Sequence, residues 1–220
     1  MTLFAHLEKL MGRFSRVGEA EFFDPEAFPW TRFVGSYYPI IREEMERVLA
    51  TKEIPNFQDI CPAQSVNSTD DGWKTFFLYA YGQRMKSNCA YCPHTDYVLS
   101  KIPGMKTAFF SILAPGKRLP MHRGPYKGVL RYHLGLQCPP AQLSGIKVGD
   151  EIRSWQEGES LIFDDTHFHR AWNLSSEPRV ILFVDFLRPL PFPLNLINRA
   201  VVRYIRSTEF VQYGARKLNK

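Results

Sequence analysis

Gly128-Val129-Leu130-Arg131-Tyr132-His133-Leu134-Gly135-Leu136-Gln137 is the stretch on which the reading of the fold turns. Its apolar residues Leu130, Tyr132, Leu134 and Leu136 recur with period two, the period of an extended strand and not of a helix. The same period places Arg131 and His133 together on the opposite face. Two large polar groups on one strand face look either into solvent or into a polar cavity, and this strand alone leaves both open.

Outward from this strand, runs of β-forming residues recur at 106–114, 145–153, 160–164 and 179–187, separated by Pro and Gly. Short strands at close spacing, with no long helical pattern between them, predict an antiparallel sandwich, barrel or jelly roll. Upstream, residues 36–50 set Tyr37, Ile41, Met45, Val48 and Leu49 on one helical face and charged residues on the other. Asp24-Pro25 predicts a helical turn, Phe28-Pro29-Trp30 an extended segment, and Thr95–Lys101 a short helix stopped by Pro103-Gly104. The expected architecture is mainly β with flanking helices, one structural domain in three parts. Residues 1–105 form an N-terminal helical and extended buttress, 106–190 a double-stranded β-helix (jelly roll, cupin-like), and 191–220 a basic amphipathic C-terminal helix.

Composition narrows the function. With 220 residues, 45% of them hydrophobic, the chain can bury a real core. No apolar run approaches the roughly 20 residues of a membrane helix, and Met1–Arg13 is amphipathic without the features of a secretory signal. Four cysteines do not make a disulfide scaffold, so the expected setting is the reducing cytoplasm. The net charge is +6, but residues 199–220 carry +5 of it, which argues against a uniformly basic nucleic-acid surface.

Four of the six histidines fall between 122 and 169. His122 sits in Pro120-Met121-His122-Arg123-Gly124-Pro125; His167 and His169 follow Phe163-Asp164-Asp165-Thr166. Imidazole is the commonest metal ligand, and two histidines 47 positions apart can meet one ion inside a jelly roll. Oxygenase-type iron ordinarily adds a carboxylate two residues after the first histidine; that position is Gly124. Arg179 heads the apolar strand Val180-Ile181-Leu182-Phe183-Val184, where a guanidinium needs an anion. Its fork suits a dicarboxylate, or an internal pair with Asp185, Asp164 or Asp165. Asp164 and Asp165 would either orient a ligand imidazole or cap their turn. Cys89-Ala90-Tyr91-Cys92 with His94 is a lone CxxC, either a zinc or redox pair or simply buried thiols, and Cys61 and Cys138 show no motif partner.

Several motifs in order resemble the aspartyl/asparaginyl β-hydroxylase family of iron(II)/2-oxoglutarate-dependent oxygenases. They are Asp71-Gly72-Trp73-Lys74-Thr75-Phe76-Phe77-Leu78, Asn88-Cys89-Ala90, Ser111-Ile112-Leu113-Ala114-Pro115-Gly116, His122-Arg123-Gly124-Pro125, and Leu130 to Leu136. Trp155-Gln156-Glu157-Gly158, Phe163 to Thr166, His169 with Trp172-Asn173, and Arg179 with Val184-Asp185 complete the set. The resemblance covers roughly residues 28–190. It implies that His122 and His169 are the iron ligands of a two-histidine variant, with water in place of the carboxylate. It also implies that Arg179 clamps 2-oxoglutarate with help from Ser111, Arg131, His133 and Trp73. The implied reaction takes 2-oxoglutarate and O2 to succinate and CO2 while a substrate C–H bond is hydroxylated.

The resemblance leaves the substrate open among bacterial lipid acyl chains (lipid A or ornithine lipid type), aspartyl or asparaginyl groups free or in peptides, and a non-catalytic binding or sensor role. The C-terminal segment favours the first. Leu196, Ile197, Ala200, Val201, Tyr204 and Ile205 make an apolar stripe flanked by Arg199, Arg203 and Arg206. Such a helix suits peripheral contact with the anionic inner face of a membrane; docking on the domain or on a second subunit is the alternative. The motif context around Phe76 and Phe109 also looks closer to the lipid-acting bacterial branch.

Overall fold

The computed structural model describes residues 3–60 and 70–207; Cys61, Glu209 and the terminal cations Arg216, Lys217 and Lys220 lie outside them. Two antiparallel sheets face each other. The larger has the order β1 (Phe22–Phe23), β9 (Ser160–Phe163), β6 (Val129–Gln137), β11 (Arg179–Leu187), β4 (Met105–Leu113), β2 (Trp73–Ala80) and β3 (Gln83–Arg84). The smaller runs β5 (Arg118–His122), β10 (His169–Asn173), β7 (Ser144–Val148) and β8 (Glu151–Arg153). This is a jelly roll, and its sequence-predicted strands fall where the period-two runs put them. The expected run 145–153 is a β7–β8 hairpin turning at Gly149, whose φ is +54°.

The large sheet is buried on both faces, which is why its polar residues are informative. On the outer face Leu130, Tyr132, Leu134, Val180, Leu182, Val184, Ala108, Phe110, Phe76 and Leu78 pack against Val34, Ile41, Met45, Val48, Val98 and Leu99. Those partners come from α2 (Trp30–Ser36), α3 (Tyr38–Thr51) and α6 (Pro93–Ser100). On the inner face lie Phe77, Phe109, Leu113, Ile181, Phe183 and Phe163, packed with Ile146, Val148 and Ala171 of the small sheet. His133 is buried on this inner side, so the polar face of β6 looks into the molecule and not into solvent.

Three local expectations change. The expected 36–50 helix is α3, beginning at Tyr38, but the segment before it is not extended: Trp30 opens the separate helix α2. Pro29, at φ −54°, ψ −24°, already has the helical geometry that its ring favours. Glu44, on the supposedly solvated face of α3, is buried because its carboxylate accepts the backbone N–H groups of His94 and Thr95 and so caps α6. The segment before residue 105 supplies β2, which pairs with β4 along Trp73–Tyr79 and carries inner-face residues of its own.

α7 (Leu194–Ser207) packs with α1 (Leu3–Arg13) through Met11, Tyr126, Leu190 and Val202. Asn198, buried on α7, donates to the Gly128 carbonyl at 2.7 Å and accepts from the Tyr126 hydroxyl at 3.0 Å. The expected stripe is therefore split. Val201 and Ile205 pack inward, whereas Leu196, Ile197 and Tyr204 stay exposed beside Arg199, Arg203 and Arg206. Among the described residues no helix is long and apolar enough to cross a membrane.

Candidate functional site

His122 ends β5 and His169 opens β10, and the antiparallel register sets them directly opposite each other. Their ring centroids are 4.1 Å apart. His122 Nδ1 lies 2.8 Å from the Pro120 carbonyl and His169 Nδ1 2.9 Å from the His167 carbonyl. Each Nδ1–H is thereby donated to the backbone two residues earlier, and each Nε2 keeps its lone pair. Burial lowers the pKa of both rings, His169 to about 3, so both are neutral at physiological pH. His169 Nε2 is buried without a hydrogen-bond partner. Two neutral imidazoles with fixed tautomers and one orphaned acceptor fit a divalent metal ion. No cluster of three His, Cys, Asp or Glu suited to a metal exists among the described residues. A side chain at Gly124 would run into the Asp165 carboxylate, so the fold itself keeps the usual third ligand out of that position. The remaining coordination positions are left to small molecules.

Behind the histidines lies a buried polar chain. Arg179 is 2% exposed and has no carboxylate partner among the described residues. Its guanidinium stands 4.4 Å over the Trp155 ring and makes only long contacts, 3.4 and 3.5 Å, to the Ser111 carbonyl and hydroxyl; its Nε is unpartnered. Burial brings its pKa down to about 10. Trp73 Nε1–H donates to Ser111 Oγ at 3.0 Å, and Trp155 Nε1–H donates to His133 Nδ1 at 3.2 Å. His133 Nδ1 is thus an acceptor, and its proton sits on Nε2, which is buried and unpartnered. Burial and the neighbouring Arg131 and Arg179 hold that ring neutral, far below its ordinary pKa. Arg179, Ser111, Trp73 and His133 are brought together as expected. They offer an uncompensated cation, an N–H and a hydroxyl, a donor set suited to a carboxylate-bearing ligand.

Arg131 is differently employed. Its guanidinium pairs with Asp165 at 2.8 Å and Asp185 at 3.1 Å and covers the Phe183 ring at 4.4 Å. Asp185 and Asp165 are therefore committed to Arg131, and neither is the internal partner of Arg179. Burial pushes the Asp165 carboxyl up to about 6, with Arg131 opposing and Asp185 and Asp164 adding to the rise. Asp164 caps its own turn through Thr166 N and Oγ1 and forms a buried pair with Arg188, with Lys127 at 3.2 Å. Neither aspartate carboxylate orients a ligand imidazole. That role falls to the Pro120 and His167 carbonyls, and the turn-capping reading holds for Asp164.

A cavity of about 470 Å³ opens beside the histidines. Its wall takes in His122, Arg131, Trp73 and Asp165. The rest of the wall is largely apolar, with Phe57, Phe77, Phe109, Phe183, Val129, Val202 and Ile205. Sequence reasoning missed Trp155 as the group that fixes the His133 tautomer, although it stands in a quoted motif. It also missed Tyr81 and Lys106 on the cavity wall. Among the described residues the CxxC segment belongs to no group of three metal-binding side chains. Cys89 and Cys92 are buried free thiols whose pKa burial pushes up to about 12.

The site agrees with what the chain is similar to. The family model for aspartyl/asparaginyl beta-hydroxylase matches residues 36–189. An ornithine lipid ester-linked acyl 2-hydroxylase of Rhizobium tropici is 44% identical over 216 residues, 97% of this chain and 77% of that protein. Human aspartyl/asparaginyl beta-hydroxylase is 36% identical over 122 residues, 53% of this chain and 16% of its own length. Aspartate beta-hydroxylase domain-containing protein 2 of Xenopus tropicalis is 38% identical over 134 residues, 56% of this chain and 36% of its own. The chain thus spans about a third or less of these vertebrate relatives. Among solved structures, the Schizosaccharomyces pombe Cnp3 cupin domain aligns with TM-score 0.39 and 11% identity over 60% of this chain and 72% of that one. The chain belongs to the aspartyl/asparaginyl β-hydroxylase family, a family of hydroxylases.

Proposed function

We propose that the protein is an iron(II)/2-oxoglutarate-dependent dioxygenase that hydroxylates the acyl chain of a bacterial lipid of the ornithine lipid or lipid A type. The observation that carries the co-substrate assignment is Arg179, a buried cation that no carboxylate among the described residues neutralises. A dicarboxylate would bind with one carboxylate on Arg179 and Ser111. Its other end would point toward the paired imidazoles, within reach of the His133 Nε2–H. Iron(II), held by His122 and His169, would supply oxygen activation and C–H hydroxylation when bound. The chain's own contribution is to hold both Nε2 lone pairs deprotonated, to fix both carboxylates, and to exclude water with Phe109, Phe163 and Phe183. Asp164 and Asp165 support the site indirectly. Asp165 anchors Arg131, and Asp164 fixes the turn that delivers His169.

The apolar cavity wall and the 44% identical acyl 2-hydroxylase support an acyl substrate over an aspartyl one. A peripheral position on an anionic membrane accords with the exposed Leu196, Ile197, Tyr204 and Phe192 beside three arginines. The test is mass spectrometry of lipids from cells that make both ornithine lipid and lipid A, expressing the wild type or His122→Ala. Lipids heavier by one oxygen with the wild type alone are the expected result. No such lipid, with succinate still produced, would transfer the assignment to aspartyl or asparaginyl substrates.

A further inference from the structure

The cavity has a second charged feature away from the histidines. Along the β4–β11 ladder Thr107 faces Asp185, but Met105 faces Phe186, so β4 carries one extra residue, Lys106. An extra residue in one strand bends the ladder and re-aims its side chain. Lys106 lines the cavity although alternation would turn it to the opposite face from Thr107. It is half-buried, and no acidic partner faces it among the described residues. Its neighbours are cations. Val202 and Ile205 of α7 close this part of the wall, and Arg199, Arg203 and Arg206 follow one flank of that helix. Arg206 Nη1 lies 4.0 Å from the site of a β-carbon at Gly82, whose N–H donates to the Lys106 carbonyl. Burial and these three arginines lower the Lys106 pKa. In the sheet, Thr107 stands directly across from Asp185, the aspartate that Arg131 holds, so Lys106 adjoins the Arg131–aspartate pair without sharing its carboxylate.

We propose that Lys106, with Arg199 and Arg203, is an anion subsite that takes the carboxylate or phosphate headgroup of an acyl amphiphile whose chain fills the cavity. This rests on the acyl-chain reading above and adds to it the part of the substrate that chooses the register. A cation on a largely apolar wall, where Asp165 and Asp185 are already held by Arg131, is a costly arrangement with nothing bound and a favourable one with an anionic amphiphile. A headgroup fixed there decides which segment of the chain passes His122.

The experiment is calorimetric titration of the full chain with three probes of equal tail length, below their micelle concentrations: lauroyl-glycine, dodecyl phosphate and dodecyl maltoside. The wild type is expected to bind the two anionic probes about tenfold more tightly than the neutral one. Lys106→Met, which keeps the aliphatic stem, removes that preference; Lys106→Arg restores it; Arg203→Ser, on the exposed side of α7, reduces it. Inorganic phosphate is expected to compete only weakly. An unchanged preference in Lys106→Met overturns the subsite. Inorganic phosphate binding as tightly as dodecyl phosphate also overturns it, in favour of a free-anion site. If none of the three probes binds the wild type, the acyl-chain reading of the cavity fails, an outcome separate from either of these.

Discussion

A guanidinium brought to a pKa of about 10 by burial has lost, at about 1.4 kcal/mol per pH unit, some 3 kcal/mol of favourable charge solvation. Among the described residues no carboxylate returns that energy to Arg179, because Asp185 and Asp165 are spent on Arg131 and Asp164 on Arg188. The sign of its substitution should therefore depend on the assay. Arg179→Met is expected to stabilise the ligand-free chain by about 1–3 kcal/mol in urea unfolding. The same variant is expected to weaken 2-oxoglutarate binding to the Mn(II)-loaded protein by roughly 10- to 150-fold, the worth of a charge-assisted fork. A destabilised variant would mean that Arg179 serves the core. His133 sets a pH dependence. Its folded pKa lies well below the ordinary 6.5, so acid favours the unfolded chain, which takes up the proton first. The stability from keeping His133 neutral is present above pH 6.5 and is lost as pH falls below it, by up to about 2 kcal/mol at pH 5. His133→Gln should flatten this part of the slope in the chelated protein; an identical slope would locate the titration elsewhere. At this scale the sequence singled out His122, His169 and Arg179 from their motifs, and the structure sets the two histidines face to face and buries Arg179. The sequence was not legible for Lys106, whose direction depends on a one-residue slip between two strands, or for the Asp185–Arg131 pair, which needs the register of β11 against β6.

The loop 154–159 joins the outside of the molecule to the buried polar chain of Arg179 and His133. Trp155 supports Arg179 and fixes the His133 tautomer. Two residues on, Glu157 is held by Arg42 and Tyr38 of α3 and accepts from the Cys138 amide at 3.3 Å. The surface ion pair is worth little to global stability, about 0–1 kcal/mol, yet it sets the position of the loop. Glu157→Gln is expected to leave the unfolding midpoint nearly unchanged and raise the KM for 2-oxoglutarate several-fold. A KM equal to wild type would show that the Gly135–Gly158 backbone bonds hold the loop by themselves. Elements differed in legibility for a physical reason. β6 and β11 declare themselves by composition and period. β2 is buried on both faces, which erases alternation, and the Pro120 of β5 reads as a break although its carbonyl is what orients His122. Helix α3 was readable by its period, but its division from α2 at Tyr37 and the capping duty of Glu44 depend on tertiary contacts.

On the scale of the whole molecule, α7 serves two environments. Asn198 and Val202 are buried against Tyr126, Gly128 and Met11, so removing the helix would expose core and test nothing about membranes. Its outer surface is separable. Leu196, Ile197, Tyr204 and the neighbouring Phe192 are exposed, α1 adds exposed Leu10 and the turn after it exposed Phe14, and Arg199 and Arg203 have no acidic partner among the described residues. Each cation near an anionic surface contributes about 1 kcal/mol, screened over a Debye length of roughly 10 Å at 0.1 M salt. The double variant Arg199→Ser, Arg203→Ser is therefore expected to bind phosphatidylglycerol-containing vesicles some 30-fold more weakly than the intact chain in a sedimentation assay. High salt should bring the intact chain down to the level of the variant. Leu196→Ser should weaken binding without altering the salt dependence, because it removes buried apolar area and no charge. Absence of vesicle binding by the intact chain at low salt would overturn the peripheral assignment. α7 would then stand as a wall of the substrate cavity, which Val202 and Ile205 already make it.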